Sequence, residues 1–223
     1  MPHISTAPPT PSPRNHIAES TIRRLSLYHR ILSELEEREE KTISSRKLAE
    51  LQKLTPAQVR KDLSFFGAFG TRGLGYPVAE LRQSIAEILG LNRRWNVAVV
   101  GVGNIGSALI GFKEFRRKGF DITLVFDNDQ RKIGSNHKGV RVSDVRNLRQ
   151  ELIASGVELA IIAVPGPDAQ TIVDEVVAAG VKAILSFAPT HLVTPDDVCL
   201  RVENMAMEME YLTYAMVNNA APR

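Results

Sequence analysis

Gly101-Val102-Gly103-Asn104-Ile105-Gly106 follows the apolar run Val97–Val100 and precedes a stretch of helix formers, Ser107–Phe115. Asp127 ends the next apolar run, Ile122–Phe126, and lies 21 residues beyond Gly106. Strand, glycine turn, helix, strand, carboxylate is the layout of a dinucleotide cleft. Gly101 makes the tight turn, Gly103 lets a pyrophosphate approach the backbone, and Gly106 lets helix and strand pack closely. The backbone N–H groups from Val102 through Asn104 and Ile105 then open the helix toward the phosphates. Asp127 is expected on the surface of the cleft. There it would accept hydrogen bonds from the adenosine ribose, and its charge would repel a 2′-phosphate, so the cofactor expected is NAD(H) rather than NADP(H). A glycine turn in a doubly wound sheet that holds no ligand has the same local signature.

The turn does not open the chain: about ninety residues of different character precede it. The 223 residues suit one or two domains, and a 43% hydrophobic, 24% charged composition is that of an ordinary globular protein. No apolar run reaches the ~18 residues a bilayer span requires. Met1–Arg14 is rich in Pro, Ser and Thr and has no apolar core, which predicts a disordered tail and not a signal peptide. A single cysteine, Cys199, excludes an internal disulfide framework and a cysteine metal cluster. The expected location is cytoplasmic, with neither a membrane nor a metal as partner.

Charge is unevenly distributed. Residues 20–94 carry 14 Lys+Arg against 9 Asp+Glu, and residues 41–72 carry 7 against 2, while the chain as a whole is only +3. A basic amino-terminal module on a slightly acidic nucleotide domain suits a polyanionic partner; a solvated basic face has the same count. Ser20 is a candidate cap for a first helix running to about Glu39 on Ile22, Leu25, Tyr28, Leu32 and Leu35. Ser44-Ser45 starts a second. Thr55 caps a third with Pro56 in its first position, Val59, Leu63 and Phe66 inward, and Gln58, Arg60, Lys61 and Ser64 outward. Two short helices joined by a tight turn form a helix-turn-helix.

Four glycines in residues 67–76 then predict a hairpin wing with Arg72 near its tip. In such a winged helix, Gln58, Arg60, Lys61 and Ser64 face base edges or phosphates. Ser45, Arg46 and Lys47 grip phosphate, and Arg72 enters the minor groove. A small helical oligomerisation module with solvated basic residues is the alternative. A short helix from Ser84 to Leu91 and the connector Asn92-Arg93-Arg94 complete the module.

Beyond Asp127 a strand is predicted near Val140–Val142, and Leu159–Val164 reads as a buried parallel strand broken by Pro165-Gly166-Pro167. Asp168 would cap a helix through Ala179. Strands follow at Ala183–Phe187 and Val198–Val202, then a helix over Met205–Val217 with a stripe of Met205, Met209, Leu212 and Met216. The fold class is therefore α/β: an N-terminal winged helix-turn-helix domain followed by a Rossmann-like doubly wound parallel sheet. Ligands sit at the carboxyl ends of such strands, so Ala163, Val164, Pro165 and the Ser186-Phe187-Ala188-Pro189 loop should face the nicotinamide half. No catalytic residue is expected. Of five histidines only His191 lies near that edge, and no further domain remains to enclose a substrate. A small NAD-dependent oxidoreductase with a fused basic module is the enzyme alternative. A DNA-binding protein whose nucleotide fold is structural only is the third reading.

The chain resembles the Rex family of redox-sensing transcriptional repressors. The resemblance rests on Val59–Gly67 and Gly70–Tyr76, Leu89-Gly90-Leu91-Asn92, the glycine motif with Ser107-Ala108-Leu109, Phe126-Asp127-Asn128-Asp129, Ala163-Val164-Pro165 and Phe187-Ala188-Pro189. It spans about Ser20 to Val217. It implies a homodimer on double-stranded palindromic operator DNA, NAD(H) in each Rossmann domain, a C-terminal helix exchanged between subunits, and release of DNA on binding NADH. The domains are then a tail over 1–19, a winged-helix domain over 20–91, a Rossmann domain over 92–203 and a dimerisation helix and tail over 204–223. The resemblance also implies that Arg30, with the groups at Phe112 and Asn204, couples the nicotinamide to the winged helix. Phe112 stands where the family commonly has tyrosine, Asn204 where it has aspartate, and Ser186 where it has asparagine. Asn204 removes the ionic part of any pair with Arg30, so a weakened or retuned switch is expected.

Overall fold

The computed structural model describes residues 17–71 and 73–218. The expected tail up to residue 16 and Arg72 fall outside the described residues. The chain divides into two compact units between Arg93 and Arg94.

In the first unit α1 (Glu19–Glu37), α2 (Ser45–Leu51), α3 (Pro56–Ser64) and α4 (Val78–Ile88) surround a core of Leu25, Tyr28, Leu32, Leu48, Val59 and Ile85. The predicted caps of the helix pair are present: Ser44 Oγ accepts from Lys47 N at 3.1 Å, and Thr55 Oγ1 from Gln58 N at 3.2 Å. Each satisfies one otherwise orphaned first-turn donor. Two expectations need correction. α1 starts from Ala18, without a side-chain cap, so Ser20 lies inside the helix and caps nothing. The helix expected over Ser84–Leu91 begins six residues earlier, at Val78, because Val78, Leu81 and Ile85 form its buried stripe against α1. The expected hairpin turn is present among the described residues, closed by the antiparallel Thr71–Gly75 bridge, and its returning strand β2 (Tyr76–Pro77) also pairs antiparallel with β1 (Thr42–Ile43), which precedes α2.

The second unit is a seven-stranded sheet. Its strands are β3 (Trp95–Val100), β4 (Phe120–Asp127), β5 (Asn136–His137), β6 (Val140–Asp144), β7 (Leu159–Ile162), β8 (Ala183–Ser186) and β9 (Cys199–Val202), in the order β5-β6-β4-β3-β7-β8-β9. All pairs are parallel except β5 with β6. The chain winds to one side of β3 through β4 and to the other through β7, so the crevice of this sheet lies at the carboxyl end of β3. The helices are α5 (Asn104–Ile110), α6 (Lys113–Arg117), α7 (Leu148–Ser155), α8 (Gly166–Ala178) and α9 (Met205–Val217).

The single helix expected over Ser107–Phe115 is two helices: Gly111 ends α5 and Phe112 takes an extended ψ of 97° before α6. Asp168 does not cap α8; the helix starts two residues earlier, from Pro165, and Asp168 lies in its first turn, where a carboxylate complements the helix dipole. Val164 lies beyond the end of β7. α9 spans the residues expected, yet none is buried: Met205, Met209, Leu212 and Met216 are 70, 62, 50 and 79% exposed. Among the described residues no helix is long and apolar enough to cross a membrane, and no group of three metal-ligating side chains occurs.

Candidate dinucleotide cleft and DNA-binding helices

The carboxyl end of β3 turns abruptly. Gly101 has φ +98°, and a Cβ there would meet Ala163 O at 2.5 Å. A Cβ on Gly106 would lie 1.8 Å from Gly101 O, so the first turn of α5 rests directly on the glycine turn. Gly103 differs: a Cβ on it would meet nothing within 4 Å. The space above Gly103 is open, and no side chain caps α5. Its first-turn N–H groups are thus left accessible on that side, as a pyrophosphate requires. Val102 is buried, whereas Gly103, Asn104 and Ile105 are exposed. Ala163 and Val164, half-buried, abut Gly101, and Phe187 N donates to Ile162 O at 2.8 Å. The ends of β3, β7 and β8 therefore meet along one edge. Pro165, also on that edge, is exposed. These residues fit a dinucleotide: open backbone donors for the phosphates, with a half-buried apolar wall of Val164 and Phe187 beside them.

Asp127 is not on the cleft surface as expected. It is 6% exposed. Its Oδ2 accepts from Val102 N at 2.7 Å and from Lys132 Nζ at 3.1 Å, and its Oδ1 accepts from Asp129 N at 2.8 Å. The reason is geometric: after a register shift at Val97/Ala98, β3 and β4 pair up to Val100 opposite Phe126, so the carboxylate closes the gap between the glycine turn and the β4 loop. Burial pushes this carboxyl up, but the backbone donors of Asp129 and Val102 and the Lys132 ammonium outweigh it and hold the group below the usual carboxylate range. A carboxylate offers about four lone-pair sites. Three are used here, which leaves Oδ1 one position for a ribose hydroxyl. Lys132 also offsets the charge that would repel a 2′-phosphate.

Asp127→Ala is therefore expected to do two things: to abolish measurable NADH binding, and to destabilise the second unit by about 2 kcal/mol, because Val102 and Asp129 lose their acceptor. Calorimetric titration and urea unfolding read the two effects separately. Because the folded pKa is depressed, this stabilisation is present above the unfolded pKa of about 3.9 and is lost as pH falls through the lower folded value.

In the first unit Arg46, Lys47, Arg60, Lys61 and Ser64 are exposed, and Ser45 is half-buried. Arg60 Nη1 donates to Ser45 Oγ at 3.1 Å, which ties α3 to the start of α2 and orients the guanidinium. Ser64 Oγ donates to Lys61 O at 2.8 Å. Gln58 is half-buried, and its Nε2 donates to Asp62 at 2.8 Å, so its amide is partly engaged within the unit. Sequence reasoning missed Asp62 itself. It is fully buried and receives Arg24 through Nε at 2.6 Å and Nη2 at 2.7 Å, Tyr28 Oη at 2.9 Å, and Thr21 Oγ1 at 3.4 Å. Only the charged residue types on α1 and α3 hinted at this pairing.

The three residues expected to couple ligand to DNA have separate local roles. Arg30 lies 3.4 Å from Glu34 on the exposed face of α1. Phe112 is 53% exposed, packs edge-on against Phe115 with ring centroids 5.2 Å apart, and lines an 820 Å³ cleft with Arg94, Arg116, Phe120 and Lys138 at the amino-terminal ends of β3, β4 and β6. Asn204 caps α9, its Oδ1 accepting from Ala206 N at 3.0 Å. Within the second unit Phe112 lies by the amino-terminal ends of β3, β4 and β6, whereas Asn204 follows the carboxyl end of edge strand β9. Ser186, fully buried, accepts from Ala188 N through Oγ at 3.2 Å and shapes the Phe187 loop. His191 is exposed.

A family model described as a CoA binding domain matches residues 92–190, and one described as "Putative DNA-binding protein N-terminus" matches residues 16–64. The chain is 48% identical over 198 residues to the redox-sensing transcriptional repressor Rex of Desulfitobacterium hafniense, covering 89% of this chain and 94% of that protein. It is also 48% identical to the Rex of Carboxydothermus hydrogenoformans, over 89% of this chain and 95% of that one. The crystal structure of RSP, a Rex-family repressor, in complex with β-NAD+ and operator DNA matches with a TM-score of 0.89 at 35% identity, over 92% of this chain and 95% of that one. RSP in complex with β-NADH matches with a TM-score of 0.82 at 34% identity, over 92% and 97%.

Proposed function

Because the chain belongs to the family of Rex redox-sensing transcriptional repressors, we propose that it is a DNA-binding repressor whose hold on its operator is set by the NADH/NAD+ balance. The observation that carries this reading is the pairing, in one chain, of an open backbone cradle at Gly103 with a capped helix pair bearing Arg46, Lys47, Arg60 and Lys61. RSP, its structural relative, has been crystallised with NADH and with NAD+ plus operator DNA.

Residues 20–91 read DNA, 92–203 hold the dinucleotide, and α9 docks on a second copy in a homodimer. Gly101 to Gly106 bind the pyrophosphate and Asp127 the ribose; Ala163, Val164, Pro165 and Phe187 contact the nicotinamide half. Arg60 and Lys61 face the major groove, with Gln58 and Ser64 beside them, while Ser45, Arg46 and Lys47 contact phosphate and Arg72 the minor groove. The protein acts in the cytoplasm as a binder rather than a catalyst, with His191 exposed on a loop.

NADH shifts the dimer toward a form with lower affinity for DNA only by its differential affinity for the two forms. Arg30, Phe112 and Asn204 set that differential. Phe112 offers no hydroxyl and the Asn204 Oδ1 is engaged as a cap, so the response is shallower than an Asp–Arg ion pair would give. The test is a gel-shift series with a palindromic probe across NADH/NAD+ ratios. Retained binding in NAD+ and partial release at saturating NADH is the expected result. Identical binding in both oxidation states overturns the sensor reading, and complete release at a small NADH fraction overturns the shallower response.

A further inference from the structure

Two Asp–Arg pairs flank the place where the adenosine half of a dinucleotide belongs. They lie at the carboxyl ends of β4 and β6, adjacent parallel strands in which Asp127 stands opposite Asp144. After β4, Asp129 holds Arg131 through both carboxylate oxygens, at 3.0 Å to Nε and 2.8 Å to Nη2. After β6, Asp144 holds Arg146 at 2.9 Å to Nε. Asp129 is itself tied to the ribose-binding carboxylate, because its N donates to Asp127 Oδ1. Both aspartates are held low by their arginines, to about 2. The side chains of Arg131 and Arg146 are nonetheless 90 and 76% exposed.

These pairs have a chemical consequence. A guanidinium bound in its own plane by a carboxylate has an in-plane edge engaged and its two π-faces free. It is rigid, its charge is locally offset, and it is a platform for a flat aromatic base rather than a hook for phosphate. Exposed ion pairs of this kind contribute little to stability, so stability alone does not account for building two of them side by side.

The geometry points to Arg131 and Arg146 as stacking platforms that grip the adenine base of the dinucleotide beyond its ribose. This inference rests on the dinucleotide reading of the Gly101–Asp127 cleft. A ribose on the free Oδ1 position of Asp127 leaves its base to run outward, over the ends of β4 and β6, where these two side chains stand.

The test uses the full-length protein and calorimetric titration with NADH and with ADP-ribose, which lacks the nicotinamide. Arg131→Ala and Arg146→Ala are each expected to weaken both ligands by roughly three- to tenfold with an unchanged melting temperature. Arg131→Tyr, which keeps a flat face without charge, should retain affinity; Arg131→Lys, which keeps charge without a face, should lose it as alanine does. Unchanged ADP-ribose affinity in either alanine variant overturns the two-sided grip. Lysine serving as well as arginine also overturns it, because charge and not stacking would then be the cause. If the unaltered protein takes up neither ligand, the cleft reading itself falls, and this inference with it.

Discussion

Asp62→Ala is expected to destabilise the first unit by about 3–5 kcal/mol, because it strands the Arg24 guanidinium half inside the fold with no counter-charge. Asp62 sits on α3, the helix proposed to read DNA, and joins it to α1 through Arg24, Tyr28 and Thr21. Burial pushes the Asp62 carboxyl up, but the Arg24, Gln58 and Tyr28 donors hold it below the usual range. A depressed folded pKa means that the stabilisation is fully present above the unfolded pKa of about 3.9 and is lost as pH falls through the folded one. Urea unfolding followed by tyrosine fluorescence at pH 7 and pH 3 checks this: the gap between wild type and variant should be wide at pH 7 and narrower at pH 3. A gap independent of pH would show that Asp62 is not ionised in the fold. Asp62→Asn should fall between, since an amide oxygen still accepts one bond but carries no charge to pair with Arg24.

Gly106→Ala should be as damaging through an unrelated cause. The added methyl would stand 1.8 Å from Gly101 O, a backbone atom with no rotamer to escape into. Either α5 lifts off the turn or the turn opens, and each movement displaces the N–H groups facing the cleft. A cost of about 3 kcal/mol in stability is the expected size for forced overpacking, together with loss of NADH binding. Gly103→Ala separates packing from ligand approach. Its methyl meets open space, so stability should hold within about 0.5 kcal/mol while NADH affinity falls. If Gly103→Ala binds NADH as wild type does, the phosphates do not approach there.

The parts of this molecule that were readable before its structure were those determined by local rules. Ser44 and Thr55 cap helices because a short hydroxyl side chain satisfies a first-turn donor nearby in sequence, and Met205–Val217 spans its helix because Asn204 caps it. The glycine turn was legible for the same reason. What escaped notice depended on neighbours distant in sequence. Asp127 appeared to be a surface carboxylate, since nothing in the order of residues says that Val102, 25 positions away, donates to it. Asp62 carried no local signal of its role in the sequence, because its partner Arg24 lies 38 positions away on α1. The α5–α6 break came from Gly111 and Phe112 in a run otherwise composed of helix formers. The pairing of β2 with β1, across the helix pair, likewise had no local signal.

Among the described residues α9 has no buried side chain: Met207, Tyr211, Tyr214 and Val217, on its other sides, are 53 to 81% exposed as well. A helix of 13 residues without a packed face is marginal in water, so in the proposed homodimer its order would depend on how often two molecules meet. Dilution would then act on this segment as a denaturant does on a whole protein, and the copy number of the repressor, and not the nicotinamide pool alone, would set how many finished molecules are available to respond.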